Sequence, residues 1–143
     1  MRALWARFAR GERLGAEDVT YLHDEERFTF RGVPLHAVLA ACGQSSGPGG
    51  RELAPHQRRP GWGKIVVAWG ADGHQAVYSC AELDPVLGAS TKSWLAWQVD
   101  GGPLPAEDGA FRLVTTTDLR GFRSVRRLVR IEARDVRVSP DEP

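Results

Sequence analysis

The sequence concentrates arginine side chains in one segment. Residues 112–137 hold eight arginines and three acidic residues, so this segment carries +5 while the remainder of the chain sums to −4. Within it, residues 120–126 (R-G-F-R-S-V-R) place three arginines beside a glycine and a serine. A guanidinium group can donate two parallel hydrogen bonds to the oxygens of a phosphate, and backbone N–H groups at the start of a helical turn attract anions. We therefore predict an anion site, suited to a phosphate, formed by Arg120, Arg123, Ser124 and Arg126.

The arginines also have a plainer interpretation. Arginine outnumbers lysine seventeen to two in this chain, a ratio that GC-rich coding sequence also produces. Arg130, Arg134 and Arg137 fit the solvated face of a strand, and we favour that interpretation for these three. For the cluster at 120–126, charge alone leaves both interpretations open.

Other side chains that bind metals or act as nucleophiles are sparse. Cys42 and Cys80 form no C-x-x-C pair, and neither they nor the four histidines cluster at zinc-ligand spacing. We interpret the two cysteines as small core thiols. From spacing alone we predict no catalytic residue and no metal ligand.

Length and composition limit the class of protein. The chain has 143 residues, 42% of them hydrophobic and 26% charged, which is typical of one globular domain over 1–143. A net charge of +1 argues against a general nucleic-acid binder. Arginines interrupt the apolar residues at 1–10, so we expect no signal peptide, no membrane contact and, if Met1 is the natural start, a cytoplasmic protein.

The elements that must position the arginines are mostly strands. Hydrophobic patterning predicts an amphipathic helix before Gly11, a long loop at 44–63, a helix that opens at Gly32–Leu35 and ends at Gly43, and a capping box from Ser79 to Glu82. Six strands are expected at 19–23, 28–31, 65–69, 75–78, 94–99 and 111–115.

The last element has a mixed pattern. Residues 124–128 fit one helical turn, and the alternation from Val129 onward fits a seventh strand. Because Val136 alternates in the opposite phase, we expect a β-bulge near Arg134 and Asp135. The fold class is α+β, a single mainly-β domain with short helices.

Four segments, in order, resemble the molybdopterin-binding domain of the sulfite oxidase family. They are F-R-G-V-P-L at 30–35, G-A-D-G at 70–73 with A-E-L at 81–83, V-D-G-G-P-L-P at 99–105, and R-L-V at 112–114 with G-F-R-S-V-R at 121–126. The resemblance is strongest over 28–134. It implies that family's fold and, as cofactor, molybdopterin, whose phosphate is held near the family's "s-V-K" segment. Ser124 and Arg126 match that "s" and "K", and Arg123 precedes them.

The departures concern the chemistry. Members that catalyse redox reactions bind molybdenum through a cysteine in a "C-x-G-N-R" loop, whereas the comparable residues 22–27 (L-H-D-E-E-R) contain none. We place His23, which lies in that loop, among the cofactor-binding residues and not among metal ligands. Without a thiolate, metal coordination and the redox chemistry built on it are in doubt.

Three functions follow, in order of preference. The first is a domain that binds a phosphorylated pterin, or a related small anion, without redox chemistry of its own. The second is an interaction module that reuses the fold, with an apolar patch at Leu4, Trp5 and Phe8, so a protein partner is left open. The third is a molybdenum oxidoreductase with a ligand other than cysteine.

Overall fold

A computed structural model describes residues 14–42, 64–85 and 92–136. The strands are β1 (Glu17–His23), β2 (Glu26–Pro34), β3 (Lys64–Gly70), β4 (Gln75–Ser79), β5 (Ser93–Val99), β6 (Gly102–Pro103), β7 (Arg112–Thr115) and β8 (Leu128–Asp135). The helices are α1 (Leu35–Ala41) and α2 (Cys80–Leu83), with 3-10 turns at Ala106–Asp108 and Gly121–Arg123. The expected mainly-β domain with short helices is confirmed for these residues.

The larger sheet brings together strands from both halves of the chain. Its order is β1-β2-β5-β6, and β7 also pairs with β5. Asp24 and Glu25 connect β1 to β2 with φ of 48° and 70°, the left-handed backbone that a two-residue hairpin turn requires. Gly32 lies at an irregularity in the β2–β5 ladder, where any Cβ would overlap the carbonyl oxygen of Leu95. A glycine is therefore required at this close approach of two strands.

The smaller sheet has the order β4-β3-β8, with antiparallel pairing throughout. Its inward face contributes Val66, Ala68 and Tyr78 to a core that it shares with Leu95 and Leu113 of the larger sheet. These side chains are at most 1% exposed. Burial of apolar surface from both sheets is what fixes one sheet relative to the other.

Two expected element boundaries are wrong. Gly32–Pro34 belong to β2, and α1 begins only at Leu35 because the extended backbone of Pro34 (ψ 137°) is its N-cap. Residues 124–128 form no helical turn. The turn lies earlier, at Gly121–Arg123, and Val125 then exchanges two backbone hydrogen bonds of 2.9 Å with Leu113.

The expected bulge near Arg134 and Asp135 is wrong as well. These residues pair regularly with Ile65 and Lys64, and the irregularity lies at the other end of β8, where Trp69 pairs with Arg130 and Gly70 with Leu128. Val136 lies after the end of β8 and is exposed. Its place in the hydrophobic alternation therefore gives no information about strand pairing.

Several sequence predictions fall outside the described residues. These are the N-terminal helix, the loop at 44–63, the patch at Leu4, Trp5 and Phe8, and the strand position of Arg137. Within the described residues, no helix has the length and apolar character needed to cross a membrane.

Candidate functional site

Two adjoining depressions lie over the β1–β2 hairpin and the end of β7. Their volumes are about 310 and 300 Å³, and they share Tyr21, His23, Arg112 and Arg126 as lining residues. We refer to the two together as the cleft. Each depression is at the lower end of the size range of small-molecule sites.

The first depression has an aromatic wall. Phe28 and Phe30 of β2 line it, and the Arg112 guanidinium lies 5.2 Å from the centre of the Phe30 ring. Tyr21 and His23 point to the same side of β1, where their rings stack 5.9 Å apart with an interplanar angle of 11°. Alternation along a strand places residues two apart on one face, so this hairpin presents its rings together.

A buried carboxylate joins the two cleft arginines. Asp108, at the end of the 3-10 turn Ala106–Asp108, is 4% exposed. Its Oδ2 accepts a hydrogen bond of 2.9 Å from Nη1 of Arg112, and its Oδ1 lies 3.1 Å from Nε of Arg126. The Arg112 side chain is 14% exposed, whereas that of Arg126 is 56% exposed. Arg112 is thus part of the wall, and Arg126 reaches toward solvent.

The second depression is lined by the β3–β4 turn and by residues 121–124. Nε2 of His74 lies 2.7 Å from the carbonyl oxygen of Phe122, which can only accept, so Nε2 carries the proton in this bond. The backbone N–H of His74 donates to Asp72 Oδ1 at 3.0 Å. Ser124 lines the same depression. This part of the cleft offers a histidine and a hydroxyl beside Arg126.

Arg123 lies away from the cleft walls and makes internal contacts. Its guanidinium binds Asp118 (2.6 Å from Nη2) and Glu82 (3.1 Å from Nη1), and it lies 4.8 Å from the centre of the Tyr78 ring. The hydrogen bonds to Asp118 hold the pKa of the guanidinium above its usual value. Because Glu82 also completes the capping box with Ser79, as predicted, Arg123 ties residues 118–123 to α2.

Buried hydroxyl groups hold the backbone beside Arg123. The Tyr78 hydroxyl donates to the carbonyl oxygen of Arg123 at 2.7 Å and lies 2.7 Å from Oγ1 of Thr115. Oγ1 of Thr115 also lies 2.8 Å from Oγ of Ser93, and Ser124 Oγ accepts from the Thr115 N–H at 3.2 Å. Burial raises the pKa of Tyr78, so the neutral, donating form is favoured. The network fixes the segment that leads to Arg126.

The predicted site residues have different surroundings. His23, Ser124 and Arg126 lie together in the cleft walls. Arg120 lines a neighbouring depression of about 520 Å³ that shares only Tyr21 and His23 with the cleft. Which of them bind a ligand stays a prediction.

The backbone at 124–128 does not supply the expected anion cradle. The N–H groups of Val125, Arg127 and Leu128 donate to the carbonyl oxygens of Leu113, Asp108 and Phe111. The expectation of a row of free N–H groups here is therefore wrong, because most of the segment pairs with neighbouring strands and loops.

Sequence reasoning missed most of the cleft lining, including the aromatic wall at Phe28 and Phe30 and the polar residues Asp108, Arg112 and His74. Arg112 was counted in the basic segment, and its spacing of four residues from Asp108 was a signal for their ion pair. Nothing local marks His74, which the fold brings to Phe122 from 48 residues away.

Neither cysteine lines the cleft. Cys80 belongs to the hydrophobic core, and burial raises the pKa of its thiol, so the thiolate that binds metals is disfavoured. The prediction that both cysteines are core thiols is wrong for Cys42, which is exposed because it follows the last turn of α1. Among the described residues, no three His, Cys, Asp or Glu side chains are grouped so as to hold a metal ion.

Comparison with known proteins identifies the family of the chain. The family model described as oxidoreductase molybdopterin binding domain matches residues 24–140, which include the whole cleft except Tyr21 and His23. No protein with a curated description matches the chain.

Proposed function

Because the chain belongs to the oxidoreductase molybdopterin-binding domain family, we propose that its cleft binds a phosphorylated pterin such as molybdopterin. The observation that carries the proposal is the meeting of Arg112 and Arg126 beside an aromatic wall. A planar, anionic ring compound needs both features, since rings pack on aromatic faces and phosphates bind guanidinium groups.

The chemistry of the cleft residues fits such a group. We assign the phosphate to Arg126 with Ser124 and His23, three side chains that can donate hydrogen bonds around one part of the cleft. We assign the ring system to the wall formed by Phe28 and Phe30. Arg120, in the neighbouring depression, extends the positive charge, whereas Arg123 supports the site through its contacts with Asp118 and Glu82.

We further propose that the domain does no redox chemistry by itself. Molybdopterin supplies that chemistry through a molybdenum ion, which family members that catalyse redox reactions also bind through a cysteine. Here the β1–β2 turn consists of Asp24 and Glu25, and the thiol of Cys80 is in the core. The cleft therefore offers side chains that can bind the pterin but no thiolate that can bind the metal.

A fluorescence titration tests the proposal, because pterins fluoresce. The protein is titrated with the phosphate ester of 6-hydroxymethylpterin and, separately, with the unphosphorylated compound. We expect tighter binding of the ester and a loss of about 10-fold or more in Arg126→Ala, as expected for one charge-assisted hydrogen bond of about 1.5–3 kcal/mol. Arg130→Ala is the matched control, since Arg130 is exposed and contacts Glu132 and Trp69.

Two results would end the proposal of pterin binding: no binding of the ester, or equal affinities for wild type and Arg126→Ala.

Metal analysis of protein produced with added molybdate tests the proposal that the domain does no redox chemistry by itself. Molybdenum retained in stoichiometric amount, and lost in His23→Ala, would favour an oxidoreductase with a histidine ligand instead.

A further inference from the structure

A carboxylate is an unexpected neighbour for an anion site. Asp108 lines the cleft, yet its negative charge repels any phosphate that approaches the arginines. Its presence therefore needs a reason other than attraction of the ligand.

The backbone of the turn does not require a carboxylate at this position. The carbonyl oxygen of Asp108 accepts a hydrogen bond of 2.7 Å from the Arg127 N–H, and its own N–H donates to Pro105 at 2.9 Å. These backbone bonds form the turn and attach it to residue 127 whatever the side chain is. The ionic contacts of the carboxylate are with Arg112 and Arg126, the two arginines of the cleft.

We propose that Asp108 is a positioning residue, which holds the Arg126 guanidinium in the orientation that receives the phosphate. This inference rests on the proposed function. The contact is made through Nε of Arg126, which leaves the two terminal nitrogens without a hydrogen bond to the described residues. Those nitrogens are the pair that a phosphate binds.

The two arginines thus have different tasks. Arg112 is largely buried, bonded to Asp108 through Nη1 and packed over Phe30, so it braces the carboxylate against the wall. Arg126 is more than half exposed, and an arginine so exposed loses rotamer freedom when a ligand orders it. Because Asp108 restricts the Arg126 side chain in the free protein, less conformational entropy is lost when the ligand binds.

The Asp108 oxygen nearest Arg126 is buried. Oδ1 of Asp108 is buried and has no hydrogen bond of good geometry within the described part of the chain, although Nε of Arg126 lies 3.1 Å away. The distance indicates an ion pair, and its attraction favours side-chain conformations of Arg126 that keep Nε beside the carboxylate. Asp108 therefore acts through Arg126 and is not itself a ligand-binding residue.

Electrostatic repulsion and positioning of Arg126 predict opposite changes in ligand affinity for the variant Asp108→Asn. Asp108→Asn removes a negative charge, so electrostatics alone predicts tighter binding of the phosphate ester. If Asp108 orients Arg126, the same variant binds the ester about 3- to 10-fold more weakly, the range expected for one long side chain that has to be ordered on binding. Asp18→Asn, which removes an exposed carboxylate paired with Arg31, is the matched control and leaves the affinity unchanged.

A double-mutant cycle completes the experiment. Wild type, Asp108→Asn, Arg126→Ala and the double variant are titrated with the phosphate ester of 6-hydroxymethylpterin, well below their unfolding temperatures. We expect Asp108→Asn to have no further effect once Arg126 is alanine. In Arg126→Lys, which keeps the charge but lacks Nε–H, Asp108→Asn should also have no weakening effect, and this comparison is independent of any loss of stability in Asp108→Asn.

Three results overturn the inference. If Asp108→Asn binds the ester as tightly as wild type or more tightly, positioning is excluded and the proposed function is left intact. If the weakening caused by Asp108→Asn persists in full without Arg126, the effect is structural. If wild type binds no ester at all, the proposed function fails and this inference fails with it.

Discussion

The contacts of Arg123 make Arg123→Ala an informative test of how the segment before Arg126 is held. The guanidinium is 27% exposed and its partners Asp118 and Glu82 are 16% and 28% exposed. The variant leaves both carboxylates without this partner and removes the cation–π contact with Tyr78. Residues 118–123 then lose their attachment to α2.

The magnitude lies between two limits. Removing one partner of a fully buried ion pair costs about 3–5 kcal/mol, and breaking an exposed pair costs about 0.2–1 kcal/mol. Exposures near one quarter place Arg123 between these limits, at about 2 kcal/mol. A chain of this size loses about 3 °C of melting temperature per kcal/mol, so we expect a decrease of about 6 °C.

Thermal unfolding followed by circular dichroism, together with urea titration, measures this change. Arg31→Ala is the control, because Arg31 and Asp18 form an ion pair at a similar distance (3.1 Å) but are 46% and 60% exposed. The control should lose about 0.5 kcal/mol or less. Equal losses in the two variants, or a loss below about 0.5 kcal/mol in Arg123→Ala, would refute the argument that burial makes the Arg123 cluster different.

Two further predictions concern buried polar groups. Tyr78→Phe removes the donor to the carbonyl oxygen of Arg123 and should cost about 1–3 kcal/mol in urea unfolding, whereas Tyr21→Phe, whose hydroxyl has no hydrogen bond with the described residues, should cost less than about 0.5 kcal/mol. Native protein should show one fast thiol toward Ellman's reagent, Cys42, because Cys80 is buried and its raised pKa reduces the thiolate; two equally fast thiols would contradict this.

Local signals predicted most of the elements. The capping box from Ser79 to Glu82 depends on residues three apart, and both of its hydrogen bonds form as expected. The apolar run at 65–69 became β3 because a strand buried between neighbours needs no polar alternation. Elements of this kind are determined by residues that are close in sequence, so the sequence alone predicts them.

The errors occurred where distant residues decide. Residues 124–128 carry side chains compatible with a helical turn, but hydrogen bonds to Leu113 and Phe111 extend the backbone. For the same reason the sequence grouped Arg123 with Arg126, since nothing local reveals that Glu82, 41 residues earlier, binds one and Asp108 the other. Charge density located the basic segment; the partners of each arginine required the fold.

The pairing of β3 with β8 has a consequence for the order of events during synthesis. Val67 pairs with Glu132, 65 residues later, and Arg126 reaches the cleft just before β8 begins. Contacts between such distant residues make folding slow, typically in milliseconds to seconds, because a long loop must close first. The smaller sheet cannot be completed until residues 128–135 have left the ribosome. If the cleft binds a pterin as proposed, that binding has to follow translation of this segment, because Arg126 lies just before β8.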